Sequence, residues 1–75
     1  MTSPLHSFAE AGNLVRDRRK TLGYTQAEVA GLCGTGTRFI SDLENGKERV
    51  EFGKALAVLQ ALGLDLLLKA RGEDR

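Results

Sequence analysis

The segment 25–46, TQAEVAGLCGTGTRFISDLENG, constrains the fold most, because it holds two short helical patterns joined by a glycine-rich turn. Thr25 and Glu28 have the spacing of a capping box, in which each side chain accepts the backbone N–H of the other residue. Gly34 predicts a left-handed turn, a conformation that bulky residues rarely adopt. The second helix is predicted over Thr37–Glu44. Helices this short bury little surface alone, so the pair predicts a helix-turn-helix packed on its neighbours.

Helical patterns also flank this segment. The first is predicted over Phe8–Leu22, with Ser7 as its N-terminal cap, and the last from about Val50 to Leu62. The expected apolar face of the last helix consists of Val50, Leu56, Leu59 and Leu62, with Phe52 and Ala55 beside it. Gly53 lies inside this helix, where glycine costs stability, and we expect a close approach to another helix to explain it.

Arg19 falls on the apolar face of the first helix, which is predicted from Ala11, Val15 and Leu22. Arg16 and Lys20 are predicted on the opposite, solvated face. One interpretation of Arg19 is a snorkelling side chain whose charge reaches water. The other interpretation, an ion pair, depends on a family resemblance given below.

Residues 64–69, LDLLLK, alternate with the period of a β-strand after Gly63, which predicts the end of the preceding helix. One apolar strand has no partner in an otherwise helical monomer, so we predict antiparallel pairing with a second copy about a two-fold axis. A helix that continues to Ala70 is the alternative. The predicted dimerisation residues are Leu64, Leu66, Leu67 and Leu68.

Composition excludes several classes of function. The net charge of +1 does not indicate nucleic-acid binding by itself. No apolar run is long enough to cross a membrane, and a single cysteine suits a reducing cytoplasm. We see no spacing typical of a metal site or a catalytic constellation, so we expect no metal, no cofactor and no enzymatic activity.

The helix-turn-helix segment also resembles a known family. Its residues are similar to those of the phage repressor and Cro (Xre) class over roughly Gly12 to Leu68. The residues that carry this resemblance are Gln26, Ala30, Gly34, Ile40, Leu43 and the run Leu43-Glu44-Asn45-Gly46-Lys47. The resemblance implies an all-α, lambda-repressor-like four-helix DNA-binding domain. It also implies a partly buried ion pair between Arg19 and Glu44, because the family pairs an arginine and a glutamate at these places.

We therefore expect a flexible arm over residues 1–7, one helix-turn-helix domain over 8–69 and a disordered tail over 70–75. In the resembling class, the helix over Thr37–Glu44 enters the DNA major groove. Arg38 suits guanine, since a guanidinium can donate to both O6 and N7, although it equally suits a phosphate. Phe39 fits either packing on the first turn or contact with a thymine methyl group. The implied base contacts are Thr37, Arg38, Ser41 and Asp42, and the implied phosphate contacts are Gln26, Asn45, Lys47 and Arg49.

The end of the chain is similar to that of HipB-type antitoxins, which are small dimeric repressors with a C-terminal strand. This resemblance implies a repressor that reads an inverted repeat in double-stranded DNA and autoregulates a toxin–antitoxin operon. It also implies a HipA-type kinase toxin as a partner. A stand-alone Xre-type repressor and a protein-interaction module are the alternatives. The operator sequence, the identity of a toxin and any small effector do not follow from the sequence.

Overall fold

The computed structural model describes residues 7–68 and shows an all-helical fold over this range. Its four helices are α1 (Phe8–Thr21), α2 (Gln26–Cys33), α3 (Thr37–Glu44) and α4 (Phe52–Ala61). None of them is long and apolar enough to cross a membrane. Most of the expected arm, the last residue of the predicted strand and the whole expected tail lie outside the described residues.

Local sequence accounts for the helix boundaries. The hydroxyl of Ser7 accepts the N–H of Glu10 at 3.1 Å. Thr25 and Glu28 make both hydrogen bonds of the predicted capping box. Gly34 ends α2 with φ 67° and ψ 35°, the left-handed conformation that its position predicts.

The helices enclose a single core, and α3 packs on both α1 and α2 while α2 also packs on α4. Full burial of an aliphatic side chain stabilises a fold by about 1.5–3 kcal/mol. The sulfur of Cys33 lies against this core, 3.9 Å from the carbonyl oxygen of Ala57, and burial raises the pKa of its thiol. It therefore behaves as a small hydrophobic residue. The buried hydrophobic residues in the described range are Val15, Val29, Ala30, Ile40, Leu43, Val58 and Leu62.

The predicted apolar face of α4 is partly wrong. The helix begins at Phe52, and that side chain is 62% exposed, whereas Val58 and Leu62 are fully buried. The prediction omitted Val58. Gly53 does not mark a close approach of two helices, because a Cβ there would meet only the Oε2 atom of Glu51, at 3.7 Å.

The buried face of α1 also differs from the prediction. It consists of Gly12, Val15 and Arg19, whereas Leu22 is 42% exposed. Arg16 does not lie on an opposite, solvated face. It is half-buried, because its guanidinium contacts Asn45 and Glu44 at the end of α3. Lys20 is exposed, as predicted.

Arg18 of α1 holds the end of α4. Its Nε atom donates a hydrogen bond to the carbonyl oxygen of Leu62 at 2.8 Å. The next residue, Gly63, has a φ of 73°, and a Cβ there would lie 3.2 Å from the guanidinium of Arg18. Arg18 therefore links α1 to the C-terminal end of α4.

Residues 64–68 are not helical, so the alternative of a helix continuing through them is wrong. Leu64 packs against the core, and its N–H donates to the carbonyl oxygen of Leu59 at 2.8 Å. Leu66 is 38% exposed, while Leu67 and Leu68 are 81% and 85% exposed. The single chain leaves this apolar segment uncovered; its pairing with a second copy stays a prediction.

Candidate nucleic-acid interface

Helix α3 has one apolar and one polar face. Ile40 and Leu43 point into the core, with 0% and 8% of their surface exposed. On the other side, Thr37 is exposed and 89% of the Arg38 side chain is accessible. A helix whose inward residues anchor it so firmly presents its outward residues in a fixed orientation.

Phe39 packs against the core and is half-buried. Of the two interpretations of this residue, packing is therefore the one that the structure favours.

Asp42 and Lys47 are brought together by the turn that follows α3. The N–H of Lys47 donates to the carbonyl oxygen of Asp42 at 3.0 Å, and Gly46 has a φ of 79° in this turn. The Lys47 ammonium consequently lies 3.4 Å from the Asp42 carboxylate, and Arg38 Nε lies 4.0 Å from the same oxygen. These three side chains form one surface cluster, which we call the charged cluster.

Asn45 and Ser41 lie together beside the charged cluster. The side-chain nitrogen of Asn45 donates to the Ser41 hydroxyl at 3.4 Å. Its side-chain oxygen accepts a hydrogen bond from Arg16 at 3.3 Å. The end of α3 is thereby tied to α1 through exposed polar groups.

Glu44 is the buried anchor of this surface. Its carboxylate accepts hydrogen bonds from Arg19 Nε at 2.5 Å and from Arg19 Nη2 at 3.0 Å. The structure thus brings together the two residues of the ion pair that the family resemblance implies. Gln26 also donates to this carboxylate, at 3.1 Å, and Arg16 Nε lies 3.5 Å away. One carboxylate therefore connects α1, α2 and α3.

The pKa of Glu44 lies below its ordinary value. Burial alone would raise this pKa, but the hydrogen bonds from Arg19, Gln26 and Arg16 outweigh the effect of burial. The pKa of Arg19 is raised, mainly by its hydrogen bonds to Glu44. Both groups are therefore charged at neutral pH, and each compensates the burial of the other.

The side chain of Gln26 was expected to contact a phosphate, but it points to Glu44 instead. Its amide nitrogen donates to Glu44, so a phosphate bound at the start of α2 would meet the backbone N–H groups of the first turn. Arg49 is exposed in the segment between α3 and α4.

Gly12 is a site residue that the sequence patterns did not predict. A Cβ at this position would lie 2.5 Å from the carbonyl oxygens of both Leu43 and Glu44, so only glycine fits between α1 and the end of α3. The signal in the sequence is a glycine inside a predicted helix, but the sequence does not say which helix this glycine faces.

A bundle of four short helices with a glycine turn before an outward-facing polar helix is the fold of a helix-turn-helix protein. Sequence comparison agrees, since the profile of the helix-turn-helix domain family matches residues 10–71. The chain belongs to this family. An uncharacterised HTH-type transcriptional regulator of Sinorhizobium fredii, y4mF, is 45% identical over 75 residues, which cover 100% of this chain and 99% of that protein.

Solved structures of HipB are similar to this fold. One is a HipA–HipB–O2–O3 complex, with a TM-score of 0.83, 26% sequence identity and coverage of 93% of this chain and 99% of that one. Another is a complex of a HipB variant with an O2 20mer, with a TM-score of 0.82, 27% identity and coverage of 95% and 99%. The similarity therefore extends over nearly the whole of both chains.

Proposed function

We propose that this protein is a sequence-specific DNA-binding repressor that acts as a homodimer in the cytoplasm. The observation that carries the proposal is the outward face of α3, where Arg38 is 89% exposed on a helix whose other face is locked into the core. The similarity to HipB, solved in complexes with the O2 and O4 20mers, supports it.

In this proposal the N-terminal part of α3 enters the major groove. Thr37 and Arg38 contact base edges first, followed by Ser41 and Asp42 further along the helix. The exposed side chain of Arg38 can donate two hydrogen bonds to guanine, the most specific of these contacts. Phosphates on either side of the groove are held by Lys47, Arg49, Asn45 and the first turn of α2 at Gln26. These contacts set the position of the protein along the duplex without reading its sequence.

Dimerisation completes the binding surface. Leu66, Leu67 and Leu68 are uncovered in the single chain, and α4 ends before them, so they are available to pair with the same segment of a second copy. A two-fold dimer places two α3 helices about 34 Å apart, or a multiple of it, and reads an inverted repeat. We assign residues 64–69 to this strand, 8–69 to the domain, and 1–7 and 70–75 to flexible ends.

Within this function we further propose a HipB-like antitoxin role, in which the protein represses its own operon and binds a HipA-type kinase. The support is a TM-score of 0.83 to a chain in a HipA–HipB–O2–O3 complex, over 93% of this sequence. A stand-alone repressor has the same DNA-binding surface. Affinity purification from the native host separates the two, since an antitoxin retains a kinase partner and a stand-alone repressor does not.

The experiment that tests DNA binding is selection from a pool of random duplexes with the purified protein. We expect enrichment of an inverted repeat whose half-sites lie about one helical turn apart, with affinity that falls as salt rises. A protein-interaction module is the rival function. It would enrich no sequence and would show no salt-dependent affinity for duplex DNA.

A further inference from the structure

Asp42 places a negative charge between two of the cations that the proposed function assigns to DNA. Its Oδ2 atom lies 3.4 Å from Lys47 Nζ and 4.0 Å from Arg38 Nε. The side chains of Asp42, Lys47 and Arg38 are 29%, 51% and 89% exposed, so DNA can reach all three. An approaching duplex therefore meets a carboxylate at the point where it meets its positive contacts.

We propose that Asp42 is a specificity-determining residue, which weakens binding to DNA in general so that only a duplex that satisfies Arg38 is held tightly. This inference rests on the proposed function. The first physical reason is competition, because the Asp42 carboxylate and a phosphate both attract the Lys47 ammonium. At about 4 Å the charges are well within the Debye length of roughly 10 Å at 0.1 M salt, so solvent ions do not cancel the effect.

The second reason is the hydrogen-bonding character of the carboxylate. An ionised Asp42 accepts hydrogen bonds and donates none. In the major groove it is repelled by guanine O6 and N7 and by thymine O4, and it is tolerated by the amino groups of cytosine and adenine. A negative charge that is repelled by the wrong bases raises the sequence specificity of DNA binding while it lowers the overall affinity for DNA.

The i, i+4 spacing on α3 adds orientation to these effects. Asp42 lies on the Nε side of the Arg38 guanidinium. That contact is made through Nε, and the Arg38 side chain is 89% exposed, so its two terminal nitrogens stay available to form the fork that fits a guanine edge. The same carboxylate thereby weakens binding to DNA of any sequence and leaves the terminal nitrogens of Arg38 available to guanine.

Asp42→Asn tests this inference against Asp17→Asn, which makes the same change of charge on the exposed face of α1. The affinities are measured by fluorescence anisotropy, over a series of salt concentrations, for a random duplex pool and for the duplex enriched by selection. Asp42→Asn is expected to tighten binding to the pool by about three- to tenfold, most strongly at low salt. Binding to the selected duplex should tighten less, so the specificity ratio falls; Asp17→Asn should leave that ratio unchanged.

Equal effects of the two variants, or an unchanged specificity ratio in Asp42→Asn, overturn the inference while the proposed function stands. Asp42→Ser removes the same charge with a smaller side chain and is expected to reproduce the pattern. If the wild-type protein itself shows no salt-dependent binding to duplex DNA, the proposed function fails and this inference fails with it.

Discussion

Gly12 and Glu44 are in direct contact: a Cβ at position 12 would lie 2.5 Å from the carbonyl oxygen of Glu44. Real Cβ atoms do not approach so closely, so the missing side chain sets the distance between α1 and the end of α3. Arg16 and Arg19 follow along the same helix, and the close crossing brings both guanidinium groups to the Glu44 carboxylate. The orientation of α3 thus depends on a glycine as much as on the ion pair.

Gly12→Ala is expected to lower the free energy of unfolding by about 1–3 kcal/mol, because the added methyl group overpacks the crossing of α1 and α3. Gly31→Ala is the matched control, since a Cβ at that position of α2 meets nothing within 4 Å. It should instead gain up to about 1 kcal/mol from the higher helix propensity of alanine. Urea titration measures both values, and equal stability of the two variants would contradict this account of the crossing.

Acid should destabilise the fold through Glu44. Its pKa is lower in the folded protein than in the unfolded chain, where the pKa of glutamate is about 4.3. The stabilisation is therefore fully present above the unfolded-state pKa and is lost as the pH falls through the lowered folded-state pKa.

Glu44→Gln isolates this contribution, because glutamine cannot ionise. At neutral pH the variant leaves Arg19 buried without its charge partner, so we expect a loss of about 3–5 kcal/mol in the free energy of unfolding. The difference between wild type and variant should shrink steadily as the pH falls below about 4.3. Urea titrations at successive pH values measure it, and a difference that stays constant with pH excludes Glu44 as the titrating group.

Local patterns predicted the helix boundaries well, whereas contacts between helices could not be predicted in the same way. The capping box and the left-handed glycine depend on residues within one turn, so Thr25, Glu28 and Gly34 sufficed for α2. Gly12 and Gly53 look alike in sequence, since both are glycines inside helices. Only packing shows that Gly12 meets a backbone at 2.5 Å while Gly53 meets a single side-chain atom at 3.7 Å.

In the candidate site, too, contacts between distant residues could not be predicted from local sequence patterns. The family resemblance alone paired Arg19 with Glu44, and the structure places the two side chains in hydrogen-bonding contact. The cluster of Arg38, Asp42 and Lys47 needs the turn after α3, whose geometry brings an ammonium back to a carboxylate one turn away. A helical wheel of α3 alone does not contain Lys47.

Arg18→Ala should loosen the end of α4, because it removes the hydrogen bond to the carbonyl oxygen of Leu62. Hydrogen bonds from charged donors are worth about 1.5–3 kcal/mol, and we expect a loss near the lower value at this partly buried site. Hydrogen exchange should accelerate at the amides of Leu62 and Leu64. Lys20→Ala, an exposed change on the same helix, should leave these amides unaffected, and equal protection in both variants would rule out the role of Arg18.

In the proposed dimer, residues 64–69 of two copies pair as strands. Leu66→Asp should then leave only monomers, because the pairing would bury a charge without a partner. Leu32→Asp introduces the same charge at a leucine of α2 that is 61% exposed, and it should leave the dimer intact. Sedimentation velocity distinguishes the two states. A Leu66→Asp protein that still sediments as a dimer would show that the interface lies elsewhere.

The central claim, that α3 reads DNA sequence, is tested most directly by the affinity of Arg38→Ala for the selected duplex and for its single-base variants. We predict a loss of about 1–3 kcal/mol in binding free energy with relaxed preference at one position of each half-site. Lys47→Ala should instead weaken binding to all sequences alike and reduce the salt dependence by about one unit of slope. Unchanged affinity and unchanged base preference in Arg38→Ala would contradict the claim.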